Sequence, residues 1–184
     1  MRKTIGSAAK NKGVLIEMKK VAVVMGSDSD YPVVSEAVKT LHSFGVECET
    51  RVLSAHRSPA AVAEFALGAA GKGFGVIIAA AGKAAHLAGV IASQTLLPVI
   101  GIPIKSSAFE GLDALLSTVQ MPAGVPVACV AVDGAKNAAL LAVRILALQE
   151  ADLLQRLAVL SDTMKDEVAA KDAAIKEQYS AGGC

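Results

Sequence analysis

Val21-Ala-Val-Val-Met25 is an apolar run that ends at Gly26, and such a run is typical of a strand buried on both faces of a parallel sheet. Residues 31–44 follow with apolar side chains at helical spacing, and Gly45 is typical of the position that ends a helix. A buried strand followed by an amphipathic helix is the unit of an α/β fold, and this first unit sets the pattern for the chain.

The same unit recurs along the sequence. Further strands are predicted at 46–53, 75–79, 97–101 and 127–132, and helices at 58–71, 84–94, 111–118 and 137–149. Asp30 and Ser58 are predicted to cap the first two helices, and Pro98 is expected at the first residue of the fourth strand. This alternation predicts a three-layer α/β/α, doubly wound parallel sheet with strand order 2-1-3-4-5. An additional long helix is predicted at 152–178.

Length and charge divide the chain into three parts. The 184 residues carry a formal net charge of +1, but residues 1–19 are strongly basic. We expect 1–19 to be a disordered tail, with Met18 as a candidate start, and 20–149 to form the α/β catalytic domain. We expect residues 150–184 to form a C-terminal helix and tail, which packs on its own domain or on a neighbouring subunit. A hydrophobic fraction of 53% favours an oligomer.

Composition also excludes several classes of function. Only 3% of the residues are aromatic, which argues against nucleic-acid binding by base stacking and against a flavin cofactor. Cys48, Cys129 and Cys184 form no C-x-x-C pair, so we expect no zinc site and no disulfide framework. Cys48 and Cys129 lie in predicted strands, where we expect them to be small apolar residues of the core. Cysteines that remain free thiols favour a cytoplasmic protein. No segment resembles a membrane span, a secretory signal, a Walker loop or a hydrolase elbow.

Polar side chains concentrate in the loops that follow the predicted strands. In open α/β sheets, ligands bind outside the carboxyl ends of the strands. The loops after the first four strands contain two of the three histidines, several hydroxyls, an arginine and two lysines; they are residues 26–30, 54–57, 81–89 and 103–107. The sequence therefore predicts a binding site at this edge of the sheet.

The first two of these loops predict a phosphorylated ribose. Ser27 and Ser29 supply hydroxyls beside a helix start, where free N–H groups favour an anion, and Asp30 suits a ribose diol. A turn with a capped helix is the alternative for this loop. Arg57 offers a fork that fits phosphate, and histidines titrate near neutral pH, so His56 could give and take a proton.

The loop after the third strand predicts a second polar anchor. Gly82 allows close approach of a ligand to the backbone, and free N–H groups at the next helix start could hold a carboxylate. His86 would add a polar side chain there, although capping or packing within its helix is an equal alternative. His42 lies away from this edge and is interpreted as structural. No metal-ligand pattern appears, so these residues indicate an enzyme that acts on a phosphoribosyl compound by proton transfer, without metal.

Several motifs in fixed order carry a family resemblance over roughly residues 21–148. They are Met25-Gly-Ser-Asp-Ser-Asp30, Ser54-Ala-His-Arg-Ser-Pro59, Ala84-Ala-His-Leu87, Leu97-Pro-Val-Ile-Gly101, Ser117-Thr-Val-Gln-Met-Pro122 and Lys136-Asn-Ala-Ala-Leu-Leu141. With these motifs the chain resembles the carboxyaminoimidazole ribonucleotide mutases of bacterial purine synthesis. The resemblance implies a flavodoxin-like fold, a homo-octamer, a ribonucleotide substrate and no cofactor.

The resemblance also implies roles for individual residues. Ser27, Ser29, Ser54 and Arg57 would hold the phosphate, and Asp30 the ribose. His56 would be the catalytic proton shuttle, while Gly82 and His86 would surround the carboxyl group as it moves from nitrogen to carbon. Metal, ATP and biotin would not be needed. These implied roles agree with the chemistry that the loops predict without the resemblance.

Three positions depart from the family pattern, and two other functions stay open. Ser58 replaces a usual Thr, Lys83 a small residue and Ala88 a frequent Pro, which leaves the details of the carboxyl pocket undetermined. One alternative is the related enzyme that carboxylates aminoimidazole ribonucleotide directly with carbon dioxide, which tends to lack the Ala-Ala-His-Leu segment. The other is a ribonucleotide-binding module without catalysis.

Overall fold

Five parallel strands form one sheet in the computed structural model, which describes residues 18–181. The strand order is β2-β1-β3-β4-β5, so the predicted order 2-1-3-4-5 and the doubly wound α/β class are confirmed. The strands are β1 (Lys20–Met25), β2 (Cys48–Val52), β3 (Phe74–Gly82), β4 (Val99–Ile104) and β5 (Ala128–Cys129).

Six α-helices occur in the described part of the chain. They are α1 (Tyr31–Ser43), α2 (Pro59–Gly68), α3 (Leu87–Ala92), α4 (Leu112–Val119), α5 (Ala135–Leu146) and α6 (Ala151–Ala181). Short 3-10 turns at Asp28–Asp30 and Ala70–Lys72 precede α1 and follow α2. None of the α-helices within residues 18–181 combines the length and apolar character that a membrane crossing requires.

The core has two apolar layers, one on each face of the sheet. Alternate residues of the strands point to opposite faces, so Val23 and Ile78 pack against α1 and α5 while Val24 and Ile77 pack against α2 and α3. Gly101 of β4 lets α4 approach on the second face, because a Cβ at Gly101 would lie 2.3 Å from the Thr118 methyl group. Burial on both faces explains why the strand sequences are almost wholly apolar.

Several predicted boundaries were wrong, including those of the central strand β3, which spans Phe74–Gly82 rather than 75–79. β2 begins two residues later than predicted, and β4 spans Val99–Ile104 rather than 97–101, so Pro98 precedes the strand. β5 has only two residues, and α3 begins at Leu87 instead of residue 84. Apolar periodicity continues through turns and loop segments that pack on the core, so it does not show where the hydrogen bonds of an element end.

Two predicted caps and the assignment of two cysteines also need correction. Asp30 and Ser58 occupy N-cap positions, but neither side chain makes a capping hydrogen bond. The Ser58 hydroxyl instead donates to the Ser54 carbonyl oxygen at 3.1 Å and accepts from the Ser54 N–H group. Cys48 and Cys129 are half-buried free thiols rather than fully buried core residues, although Cys48 packs against the core on the α1–α5 face. Burial raises the pKa of each thiol.

The long C-terminal helix is confirmed, and only its first part packs on the domain. Leu153 is buried against the α1–α5 layer, with Leu157 and Leu160 half-buried beside it. From Met164 onwards the apolar side chains of α6 are exposed. Residues 1–17, in which most of the predicted basic tail lies, fall outside the described part of the chain.

Candidate functional site

A cavity of about 460 Å³ opens at the carboxyl ends of β1, β2, β3 and β4. That volume is within the usual range for a small-molecule site. We call the loops after β1 and β2 the β1–β2 half of the cavity, and the loops after β3 and β4 the β3–β4 half. Seven of the eight predicted site residues line the cavity; they are Ser27, Ser29, Asp30, Ser54, His56, Arg57 and Gly82.

Hydrogen bonds within the loop after β1 hold two serine hydroxyls side by side. Ser29 Oγ donates to Ser27 Oγ at 2.9 Å, and Ser27 Oγ also accepts from the Ser29 N–H group at 3.3 Å. The Asp30 N–H group donates to the Ser27 carbonyl oxygen at 3.2 Å, which closes the turn. Two hydroxyls and a helix entry therefore face the cavity as a set, which suits an anion with several oxygens.

Arg57 joins the loops of the β1–β2 half. Its Nη2 donates to the Gly26 carbonyl oxygen at 2.9 Å, and its Nε donates to Ser54 Oγ at 3.3 Å. These bonds orient the guanidinium group across the ends of two neighbouring strands. A positive, planar donor held beside Ser27 and Ser29 is suited to binding phosphate.

Asp30 is the buried carboxylate of the site, with 9% of its surface exposed. Burial raises the pKa of Asp30, and the nearby charges of Asp28 and Asp133 also raise it, while hydrogen bonds from Ser27 and Ser29 lower it. The net direction is upward. A buried carboxylate at the cavity wall can accept hydrogen bonds from two hydroxyl groups of a ligand, which fits the predicted ribose contact.

His56 follows β2 and lines the cavity between Ala55 and Arg57. Its side chain is exposed, and it makes no hydrogen bond to another of the described residues. Both ring nitrogens are thus open to a ligand in the cavity. An imidazole in this position can exchange a proton with a bound molecule, which is what general acid–base catalysis requires.

The last residue of β3 and the first residue of the loop after it, Gly82 and Lys83, both line the cavity. Gly82 is in register with Ile104 of β4, so Lys83 and Lys105 follow directly after paired residues on adjacent strands. Lys83 has a left-handed backbone, with φ of 57°. Ala55, Lys105 and Ser106 also line the cavity, although no individual role was predicted for them. The feature that could have indicated a role is their position in loops that directly follow strands.

His86 is the predicted site residue that does not line the cavity. It also has a left-handed backbone, with φ of 50°, and its Nδ1 lies 2.5 Å from the Ser117 carbonyl oxygen of α4. Its ring lies over Gly89, where a Cβ atom would come within 2.2 Å of Nε2. The ring therefore bridges the loop after β3 to α4, beside the site rather than in its wall.

Asp133 connects the loops after β4 and β5. Its Oδ1 accepts from the Lys105 N–H group at 2.9 Å, and its own N–H group donates to the Pro103 carbonyl oxygen at 2.9 Å. Lys105 also forms an ion pair with Glu110, which raises the pKa of Lys105. The contact between Lys105 and Asp133 joins residues 28 positions apart, so no local pattern in the sequence indicated it.

A larger groove of about 930 Å³ lies at the other end of the strands, beside the residues where β4 begins. Its lining contains no charged side chain, and Ser93, Gln94 and Thr95 are its only polar side chains. The groove therefore offers no ionisable side chain for proton transfer and no cation for a phosphate. Within residues 18–181, no group of three or more His, Cys, Asp and Glu side chains is placed to hold a metal ion.

The chain is similar to known proteins over most of its length. The model of the family described as AIR carboxylase matches residues 20–167. An N5-carboxyaminoimidazole ribonucleotide mutase of Pyrococcus abyssi is 54% identical over 152 residues, which cover 83% of this chain and 87% of the relative. A mutase of the same name from Mycobacterium tuberculosis strain H37Rv is 52% identical over 160 residues, which cover 87% of this chain and 92% of the relative.

The fold also matches a solved structure. The crystal structure of Treponema denticola PurE is 28% identical to this chain and superposes with a TM-score of 0.76. The match covers 85% of this chain and 98% of the other.

Proposed function

The chain belongs to the AIR carboxylase family, and from this premise we propose that it converts N5-carboxyaminoimidazole ribonucleotide to 4-carboxy-5-aminoimidazole ribonucleotide in purine synthesis. The predicted enzyme class, an isomerase that moves a carboxyl group, is confirmed by relatives about half identical that are named as mutases. The observation that carries the proposal is the cavity itself, which gathers one histidine with hydroxyl, guanidinium and carboxylate groups suited to a ribose phosphate.

Placement of the substrate follows from the hydroxyl and guanidinium donors that the β1–β2 half brings together. We propose that Ser27, Ser29, Ser54 and Arg57 bind the phosphate in the β1–β2 half, and that Asp30 accepts from the ribose hydroxyls. The aminoimidazole ring then extends towards the β3–β4 half. Three strand spacings of about 4.8 Å separate β2 from β4, roughly 14 Å, which is enough for a ribonucleotide lying across the strand ends.

We propose that His56 is the proton shuttle. The carbamate C–N bond breaks, carbon dioxide leaves, and the electron pair returns to nitrogen, which takes a proton from the His56 imidazolium. The ring carbon then attacks carbon dioxide and forms the new C–C bond. Neutral His56 removes the proton from that ring carbon, which restores the aromatic ring and the imidazolium. No proton is gained or lost over the cycle.

Retention of carbon dioxide is the main requirement of this mechanism. A molecule held beside the ring recombines in an effectively unimolecular step, whereas a released molecule must be recaptured from solution. Small side chains at Ala81, Gly82 and Ala85 line the β3–β4 half and leave room for it beside the ring. His86, which bridges this loop to Ser117, would act by holding the loop in place.

The direct carboxylase is the second candidate function, because the family model is described as AIR carboxylase. A substrate with heavy carbon in its N-carboxylate separates the two in buffer that contains unlabelled bicarbonate. Under the mutase proposal, the label stays in the product. Unlabelled carbon in the product would mean that carbon dioxide comes from solution, and the carboxylase would replace the mutase. Binding without any turnover would indicate the third function, a ribonucleotide-binding module.

We propose that the enzyme is a cytoplasmic homo-octamer in which α6 packs on a neighbouring subunit. The exposed apolar side chains on the second part of α6, among them Met164, Val168 and Ile175, support this packing, since a monomer leaves them in water. The free thiols of Cys48 and Cys129 suit the cytoplasm. Sedimentation at several protein concentrations is expected to show a stable octamer, and a stable monomer would overturn the assembly.

A further inference from the structure

We propose that Lys83, in the β3–β4 half of the cavity, binds the carboxylate of the substrate and product. This inference rests on the proposed function, because it names a partner for the charged group that the reaction moves. Lys83 lines the cavity, is exposed, and follows directly after Gly82 at the end of β3.

The charges around the cavity distinguish Lys83 from its neighbour. Lys105 also lines the cavity, but its ammonium group is paired with Glu110. Among residues 18–181, no carboxylate lies within ion-pairing distance of Lys83. Lys83 is therefore the cation of the β3–β4 half whose charge is not already neutralised by a neighbouring side chain.

The backbone at Lys83 is a second, independent observation. Its φ of 57° lies in the left-handed region, which glycine adopts freely and side-chain-bearing residues rarely adopt. Of the four non-glycine residues with positive φ in the described part of the chain, Lys83 is the one that lines the cavity; the others are His86, Glu110 and Asp133. Unusual backbone conformations of this kind concentrate at binding and catalytic sites.

The position of Lys83 also matches the geometry of the ligand. With phosphate bound by the loops after β1 and β2, the ring and its carboxylate reach the loop after β3, the next strand in the sheet. A lysine has a long, flexible stem and can follow the carboxylate as it moves from nitrogen to ring carbon. A single ammonium group can thus bind the charge in both substrate and product.

Binding of two ribonucleotides tests the inference, with calorimetry as the measurement. The product, 4-carboxy-5-aminoimidazole ribonucleotide, has the carboxylate, and 5-aminoimidazole ribonucleotide lacks it. In Lys83→Met, we expect the Kd of the carboxylated ligand to rise about fivefold to twentyfold, the range for loss of a charged hydrogen bond at a partly exposed site. The Kd of the uncarboxylated ligand should change less than about twofold.

Two further variants complete the experiment. Lys83→Gly also removes the amine, but it places glycine where the backbone is already left-handed, so it should fold and show the same selective loss. Lys105→Met is the matched control, and its effect on the carboxylated ligand should be smaller because Glu110 already neutralises Lys105. Equal losses in Lys83→Met and Lys105→Met, or equal losses for both ligands, would overturn the role of Lys83. Failure of the unmodified protein to bind either ribonucleotide would overturn the proposed function itself.

Discussion

The two halves of the cavity are held in place by different kinds of contact. In the β1–β2 half, side chains bind one another and the neighbouring loop, as Arg57 does through Gly26 and Ser54. In the β3–β4 half, the chain turns at residues with a left-handed backbone such as Lys83, and side chains that do not line the cavity, those of His86 and Asp133, hold its loops. The first half presents fixed hydrogen-bond donors, and the second presents backbone turns with small side chains and the exposed lysine Lys83.

This difference suits the two tasks that we propose for the halves. A phosphate does not change during the reaction, so donors fixed in advance bind it with little loss of freedom on binding. The carboxyl group changes its attachment, so its half of the cavity needs space and a movable partner. Substitutions in the first half should therefore weaken binding, and those in the second should alter the carboxyl step or the packing of its loop.

Replacing His56 is expected to have the largest effect. His56→Asn keeps a polar side chain but cannot shuttle a proton, so kcat should fall about a hundredfold to ten-thousandfold with little change in substrate Kd. Steady-state kinetics and calorimetry measure the two quantities. His42→Asn is the control, because His42 lies on α1 beside Cys48 and outside the cavity, and its kcat should be unchanged. Wild-type turnover in His56→Asn would rule out His56 as the proton shuttle.

Replacing Arg57 should affect binding more than turnover. Arg57→Met removes the guanidinium group that spans the β1–β2 half, and KM should rise about tenfold to a hundredfold while kcat changes less. Arg51→Met is the matched control, since Arg51 lies on edge strand β2 over the Phe65 ring and does not line the cavity. A fall in kcat with unchanged KM would show that Arg57 acts on the reacting groups instead of the phosphate.

Gly89→Ala tests the packing of His86 in the β3–β4 half. The new Cβ would meet the His86 ring, so the ring must leave its place beside Ser117, at a cost of about 1–3 kcal/mol in the free energy of unfolding. Thermal unfolding at fixed protein concentration measures the loss. Gly71→Ala is the control, because a Cβ at Gly71 meets nothing within 4 Å. If Gly89→Ala is as stable as the unchanged protein, the ring is not packed as described.

Asp30 should give the smallest effect, visible as a pH dependence of stability. Burial raises its pKa in the folded state above that in the unfolded chain, so the folded state binds the proton more tightly. The contribution of Asp30 to the free energy of unfolding is therefore greatest below the ordinary pKa of aspartate. That contribution is lost as the pH rises through the folded-state pKa of Asp30.

Asp30→Asn cannot lose a proton, so its stability relative to the unchanged protein should increase between pH 3.5 and pH 7, a window chosen to bracket an upward shift from aspartate's usual value of about 3.9. Chemical unfolding at both pH values measures the difference. Exposed Asp166→Asn on α6 should show no such trend. An opposite trend for Asp30→Asn would mean that hydrogen bonding outweighs burial at this carboxylate.

Much of the site could be predicted because parallel strands bring their carboxyl ends to one edge. The motifs after β1, β2 and β3 were assigned to that edge from the order of strands and helices alone, and seven of the eight predicted residues line the cavity. The exception is His86. Its contact with Ser117 lies 31 residues away in the sequence, and the left-handed turn that directs it has no periodic signature.

The sequence by itself determined the α/β class, the strand order and the edge of the sheet where the polar residues gather, because apolar periodicity and chain connectivity are properties of the sequence. The tertiary structure decided which polar groups are buried or paired. Burial of Asp30, the Arg57 bond to Gly26 and the contact between Lys105 and Asp133 all depend on loops from different strands. Such contacts form only when the sheet sets the distances between those loops, so no local pattern of residues can indicate them.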